Sequence, residues 1–335
     1  MINELKDSYG RALDYLRVSI TDRCNLRCIY CMPPEGVQWK PHQNILTFEQ
    51  IIRIVKIACG LGIRKIRVTG GEPLLRKGAA SFLKELKTIH GIENVSLTTN
   101  GLLLGAYLDE AQNIGENVLP DSINISVDTL SREIYKKMTL CDNLHPQSIL
   151  LLIDRLLEKQ ITVKINCVPV QSFNDDEIAS LAELAKNKNI AVRFIELMPI
   201  GAASNLQFVS GAEVKKMIEK TFGALTPCDG FYGNGPAVYY KLASFTGKVG
   251  FINAVTHGFC GTCNRLRLTS QGFLKLCLSN TLGLDLKTLI AAGADDEEIA
   301  GAIIQAAAKK PRFHTLSNIY NEAEQHSESM SKIGG

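Results

Sequence analysis

Cys24, Cys28 and Cys31 stand four and then three residues apart in the stretch T-D-R-C-N-L-R-C-I-Y-C-M-P-P. Three thiolates this close can hold three corners of an iron–sulfur cubane, which leaves one iron open to a further ligand. A zinc site is the competing reading; it wants a fourth ligand, and no histidine lies within ten residues of Cys31. A second group, Cys260 and Cys263 followed by Cys277, again stops at three, and here His257 is near enough to complete a zinc ribbon as the alternative. Between these cysteines run Asn264, Arg265, Leu266 and Arg267. Arg265 and Arg267 stand two apart on a strand pattern, so both point one way. A solvated strand face is the ordinary explanation of such a pair, but beside a metal-binding group it suits a polyanionic, phosphate-bearing ligand.

The elements that must position these groups alternate regularly. Apolar spacing predicts helices over 48–60, with Thr47 as N-cap, and over 79–89, 147–159 and 175–187. Between them lie strand-like segments that include I-R-K-I-R-V-T, N-V-S-L-T-T, S-I-N-I-S-V, T-V-K-I-N-C and A-V-R-F-I-E, after a first strand around Leu16, Val18 and Ile20. Six strand–helix alternations in about 200 residues argue for a parallel α/β sheet. Side-chain parity says more. Val18, Ile66, Val68, Ile123, Ile125, Val163 and Ile165 share one face; Arg17, Arg67, Thr98, Asn124, Ser126, Lys164 and Arg193 share the other. Parallel sheets are ordinarily apolar on both faces, so the polar face must meet ligand or water. The expected architecture is an incomplete six-stranded (β/α)6 TIM-like barrel with a polar lumen. Gly70-Gly71-Glu72-Pro73, Thr99-Asn100-Gly101, Ser126 with Asp128, and Met198-Pro199 all fall at C-terminal strand ends, where such folds build sites. Glu72 is read there as a carboxylate offered to a ligand amine.

Beyond Gly201 the pattern changes to a helix over 212–222, a Gly/Pro-rich stretch, and short strand-like segments at 237–242, 248–255, 265–269 and 273–278, with Ser270-Gln271-Gly272 as a hairpin turn. Helical spacing returns at 286–290 and 296–308. The expected division is a barrel over 1–205, a smaller α+β domain over 206–325 that closes its open side, and a flexible tail over 326–335. The 37 basic and 34 acidic residues, net charge +3, give no argument for nucleic acid or membrane binding. Ten cysteines, no export signal in the polar opening residues and no bilayer-length apolar run point to a reducing, cytoplasmic setting.

The first cysteine motif, with Tyr30 before its last cysteine and G-G-E-P after it, resembles the radical S-adenosylmethionine superfamily. More narrowly, the chain is similar to the GTP 3′,8-cyclases of molybdenum-cofactor biosynthesis along nearly its whole length. The matching stretches include T-G-G-E-P-L-L-R, T-T-N-G, N-I-S-V-D, R-F-I-E-L-M-P, G-F-C-G-T-C-N-R-L-R-L-T and the terminal Gly-Gly. The resemblance implies two [4Fe-4S] clusters, one on Cys24, Cys28 and Cys31 and one on Cys260, Cys263 and Cys277. It implies contacts to S-adenosylmethionine from Tyr30, Gly71, Ser126 and Met198. It implies contacts to GTP from Arg17, Arg67, Thr98, Lys164, Arg193, Arg265, Leu266 and Arg267, and insertion of Gly334 and Gly335 toward the active site. A reductant protein such as flavodoxin or ferredoxin and the downstream cyclic pyranopterin monophosphate synthase are the implied partners; the oligomeric state stays open between monomer and homodimer. Two other readings compete: a radical enzyme with an auxiliary cluster acting on a peptide, and a zinc-stapled binding protein without radical chemistry.

Overall fold

A computed structural model describes residues 4–115, 118–142, 146–229, 233–314 and 330. In chain order the elements are β1 (Tyr15–Ser19), α1 (Phe48–Gly60), β2 (Lys65–Thr69), α2 (Ala79–Thr88), β3 (Asn94–Thr99), α3 (Leu104–Ile114), β4 (Ser122–Ser126), α4 (Arg132–Thr139), α5 (Pro146–Glu158), β5 (Thr162–Cys167), α6 (Ile178–Glu183) and β6 (Ala191–Ile195). There follow α7 (Gly211–Phe222), β7 (Thr226–Pro227), β8 (Val238–Lys241), β9 (Lys248–Ile252), β10 (Arg265–Leu268), β11 (Phe273–Lys275), β12 (Gly283–Asp285), α8 (Leu286–Ala291) and α9 (Asp296–Ala308).

The six predicted strands β1 to β6 lie side by side, all parallel. Two more strands continue the parallel row from outside the predicted barrel. β10 pairs with β1, Tyr15 opposite Arg265, and β9 pairs with β6, Ala191 opposite Lys248. Antiparallel β11 and β12 extend one flank and β8 and β7 the other, so the order is β12-β11-β10-β1-β2-β3-β4-β5-β6-β9-β8-β7. The strands beyond Gly201 therefore join the barrel sheet at both of its edges. The two ends of the row do not pair with each other among the described residues, so the barrel is incomplete.

Helices cover the apolar face. Thr47 caps α1, its side chain accepting from Gln50 N while the Gln50 side chain returns to Thr47 N, a reciprocal capping box. Ile51, Ile54 and Val55 then bury against Val18, Ile66 and Val68, all at most 1% exposed. Each such side chain contributes about 1.5–3 kcal/mol on leaving water. Phe48 stacks on Phe82 of α2 with ring centroids 4.5 Å apart. Gly272 takes a φ of +90° in the turn between β10 and β11, a conformation open to glycine without strain.

Two elements differ from expectation. The helix predicted over 175–187 is cut to a 3-10 turn (Asp175–Glu177) and the six residues of α6. The carbonyls of Ala185 and Lys186, which would carry it onward, instead accept from Gly247 N and Thr246 N and steer the chain into β9. The amphipathic α4 was not anticipated; it is capped by Ser131 and buries Tyr135 and Met138. No helix among the described residues is long and apolar enough to cross a membrane.

Candidate active site

The first cysteine group lies in the loop that leaves the C-terminal end of β1. Cys31 N and Met32 N both donate to Cys28 O, at 2.8 and 3.0 Å, so one helical turn brings Cys28 and Cys31 together. The loop is held from three sides. Gly71 N and Glu72 N donate to Thr21 O and Arg23 O at 2.8 and 2.7 Å. Arg27 N and Ile29 N pair with Thr139 O and Met138 O at the end of α4. The Arg27 guanidinium bonds the carbonyls of Cys24 and Leu26, both at 2.9 Å. A Cβ on Gly71 would lie 2.3 Å from Arg23 O, so this approach admits only glycine.

Glu72 does not offer its carboxylate to a ligand, contrary to the sequence reading. It is 1% exposed, and its oxygens accept from Thr99 Oγ1, Asn100 N and Leu74 N at 2.8, 2.7 and 3.0 Å. It ties the end of β3 to the G-G-E-P turn; burial raises its pKa to about 7. Asp128 is the carboxylate that borders the cavity. It accepts from the Tyr30 hydroxyl at 2.6 Å and from Val168 N at 2.8 Å, and burial raises it to about 6. Tyr30 is thus pinned by the strand end opposite its own loop.

The second group lies at the other end of the strands. Cys260 and Cys263 directly precede β10, whose first residue is level with the first residue of β1, and Cys277 follows β11, which runs the opposite way. The two triads therefore face each other along the length of β1 and open on one cavity of about 310 Å³. Arg265 Nη2 lies 3.8 Å from Cys263 Sγ, and His314 N donates to Cys260 Sγ at 3.3 Å. Burial raises the Cys263 thiol, but Arg265 and Lys310 outweigh it and bring the group down to about 7.

Between the triads the polar face is in register across strands. Arg17 stands level with Arg67 on β2 and with Arg267 on β10, and Lys275 on β11 continues the row. Burial and the neighbouring Arg267 and Arg67 hold Arg17 well below its usual pKa; burial and Arg265 bring Arg267 to about 10. Arg193 bonds Asn124 Oδ1 and Asn166 Oδ1 and so forms the floor of the cavity under β4 to β6.

Sixteen residues singled out from sequence line this cavity: both cysteine triads with Tyr30, Gly71, Ser126, Met198, Arg17, Arg67, Thr98, Arg193, Arg265 and Arg267. Lys164 lines an adjoining cavity of about 300 Å³ toward the N-terminal strand ends; burial with Arg193 and Arg67 lowers it to about 7. The Leu266 side chain belongs to the apolar core, so a ligand could meet this position only through its main chain. Gly334 and Gly335 lie outside the described residues, but Met330 borders the cavity. Sequence reading missed Arg11, Lys275 and Lys310. Arg11 had a weak signal, an Asp7-to-Arg11 spacing of four residues; Lys310 had none.

The first triad, three cysteines on one loop, fits an iron–sulfur cluster. Zinc ligands must meet at one point, whereas each cysteine of a cubane takes a different iron. Burial raises the Cys24 and Cys28 thiols, and Cys31, Asp128 and Cys24 raise Cys28 further, so a cationic partner is needed to hold them as thiolates. No disulfide consumes any of the ten cysteines.

An open arc of parallel strands with a polar lumen and a C-x-x-x-C-x-x-C loop at its mouth is the arrangement of a radical S-adenosylmethionine protein. The radical SAM superfamily model matches residues 18–185, and the Molybdenum Cofactor Synthesis C model matches residues 190–316. The GTP 3′,8-cyclase of Clostridium perfringens is 40% identical over 331 residues, covering 99% of this chain and 100% of that protein. That of Pelotomaculum thermopropionicum is 42% identical over 336 residues, with 99% and 100% covered. Among solved structures, Streptococcus suis SuiB bound to S-adenosylmethionine superposes with a TM-score of 0.58 at 14% identity, over 97% of this chain and 77% of that one, a likeness of fold. The chain belongs to the GTP 3′,8-cyclase family of the radical SAM superfamily.

Proposed function

We propose that the protein is a radical S-adenosylmethionine lyase that converts GTP to (8S)-3′,8-cyclo-7,8-dihydro-GTP by abstraction of the ribose 3′ hydrogen, the first step of molybdenum-cofactor biosynthesis. The observation that carries this reading is that two cysteine triads and a row of guanidiniums share one chamber. Cys24, Cys28 and Cys31 would hold one [4Fe-4S] cluster and Cys260, Cys263 and Cys277 another. With S-adenosylmethionine bound at it, the first cluster would supply the chemistry that generates a 5′-deoxyadenosyl radical.

The chain's own residues bind, orient and shield. Tyr30, fixed by Asp128, and Gly71, Ser126 and Met198 border the first triad and orient S-adenosylmethionine. Arg17, Arg67, Arg193, Arg265 and Arg267, with Thr98 and the main chain at Leu266, receive the nucleotide beside the second triad. Bidentate guanidinium contacts suit its phosphates. Lys164, in the adjoining cavity, joins them as a further cationic contact for the phosphates. The enclosed lumen keeps water from the radical. The proposed division is into 1–205, 206–325 and a tail over 326–335, whose Gly334 and Gly335 lie outside the described residues. A flavodoxin or ferredoxin would deliver the electron, and cyclic pyranopterin monophosphate synthase would take the product.

The test is anaerobic incubation of the reconstituted protein with S-adenosylmethionine, dithionite and GTP deuterated at the ribose 3′ position. The expected result is 5′-deoxyadenosine carrying that deuterium together with a cyclised nucleotide. Unlabelled 5′-deoxyadenosine with unchanged GTP would overturn the reading.

A further inference from the structure

We propose that Arg11 and Lys310 form a cationic cradle for the second metal site, together fixing the two segments that carry its three cysteines, with Lys310 setting the reduction potential of the cluster held there. This rests on the reading of Cys260, Cys263 and Cys277 as cluster ligands.

Arg11 is 9% exposed. Its Nη1 donates to Cys260 O at 2.7 Å and to Arg312 O at 3.1 Å, and its Nη2 donates to Pro311 O at 2.7 Å. Its Nε bonds the Asp7 carboxylate, which also accepts from Tyr9 N and Arg11 N at 2.9 and 3.0 Å. A short N-terminal arm is thereby braced to present one guanidinium to the Cys260 segment and to the chain leaving α9. Ser8 Oγ, from the same arm, also bonds Ala308 O at the end of that helix.

Lys310 is 3% exposed. Its Nζ donates to Arg265 O at 2.9 Å and to Leu276 O. The first carbonyl lies two residues after Cys263 and the second directly precedes Cys277, so one ammonium joins the start of β10 to the end of β11 beside both thiols. Its bonded partners among the described residues are neutral carbonyls, and the ionisable groups that favour its charge are the sulfurs of Cys263 and Cys277. A buried ammonium without a carboxylate is costly unless another anion neutralises it. Thiolates in a cluster are that anion. Reduction adds a negative charge to the cluster, and a nearby cation favours that charge, so Lys310 holds the potential up.

The test compares anaerobically reconstituted full-length wild type, Lys310→Met and Arg11→Lys by iron content and by EPR-monitored redox titration. Lys310→Met preserves length and removes charge; the expected result is a second-cluster potential more negative than in wild type, with the first cluster unmoved. Loss of only the second cluster, leaving about four irons and wild-type cleavage of S-adenosylmethionine, equally supports the cradle. Arg11→Lys keeps the charge but not the fork, and is expected to lose second-site iron without shifting the potential of what remains. Variants with wild-type iron and potentials, or with both clusters lost together, would overturn the proposal. A wild type holding only about four irons would sink the two-cluster reading itself, a separate failure.

Discussion

Lys164 is protonated only with difficulty, because burial and then Arg193 and Arg67 bring its pKa to about 7. At pH 8 the ligand-free ammonium is therefore mostly neutral. An arriving triphosphate raises its pKa again, so nucleotide binding at that pH takes up most of one proton. Calorimetry in buffers of different ionisation enthalpy reads this directly. Lys164→Met should abolish the uptake and weaken GTP binding roughly tenfold or more, the worth of a hydrogen bond to a charged group; uptake that survives would remove Lys164 from the phosphate site. The same scale shows where sequence reading reached its limit. Alternation placed Arg17, Arg67 and Arg193 in the lumen because strand parity is a local property. It could not tell that Glu72 turns inward to Thr99 and Asn100 whereas Asp128 faces the cavity. Both are carboxylates at strand ends, and their orientation depends on donors supplied by distant loops.

At the scale of elements, the triad loop and the G-G-E-P turn act as one unit, because each satisfies the other's main chain. Gly71→Ala would place a methyl carbon against Arg23 O. The two loops must then separate, and the expected outcome is loss of the first cluster with retention of the second. On the two-cluster reading proposed above, iron should fall from about eight to about four per chain, with S-adenosylmethionine cleavage abolished. Full iron in this variant would mean that the loop yields without disturbing its cysteines. Helix bounds such as those of α1 and α9 were legible because caps and apolar spacing are written within a few residues. The pairing of β10 with β1, some 250 residues apart, was not, since parallel strands carry no turn between them to announce their register. The sequence reading therefore found six strands and a covering domain, where β9 and β10 instead continue the same parallel row.

For the molecule as a whole, the lumen is a store of like charge. Arg67, Arg17 and Arg267 lie level on adjacent strands, with the buried Arg67 and Arg267 flanking Arg17. Burial and like charge disfavour the charged forms in this row, a cost that an entering anion offsets. Arg17→Met should accordingly stabilise the nucleotide-free protein by about 1–3 kcal/mol, a rise of several degrees in its apparent melting temperature. With saturating GTP the order should reverse, as wild type gains ligand stabilisation that the variant lacks. A variant no more stable than wild type without nucleotide would mean that the row is already neutralised within the protein. The flank pairing of β1 bears also on how the chain is made. Strand β1 lies between β2 and β10, and its second partner ends at Leu268. A ribosome adding ~5–20 residues per second needs roughly 10–40 s to travel from the end of β2 to the end of β10. During that interval β1 is an edge strand with unpaired main-chain groups, open to pairing with another nascent chain. The loop carrying the first triad can meanwhile fold on β1 and β2, whereas the second triad cannot close until α9 has emerged and Lys310 and Arg11 meet it. On the reading proposed above, the loop of the first triad is therefore complete earlier in synthesis than the second triad, which waits for the chain after α9.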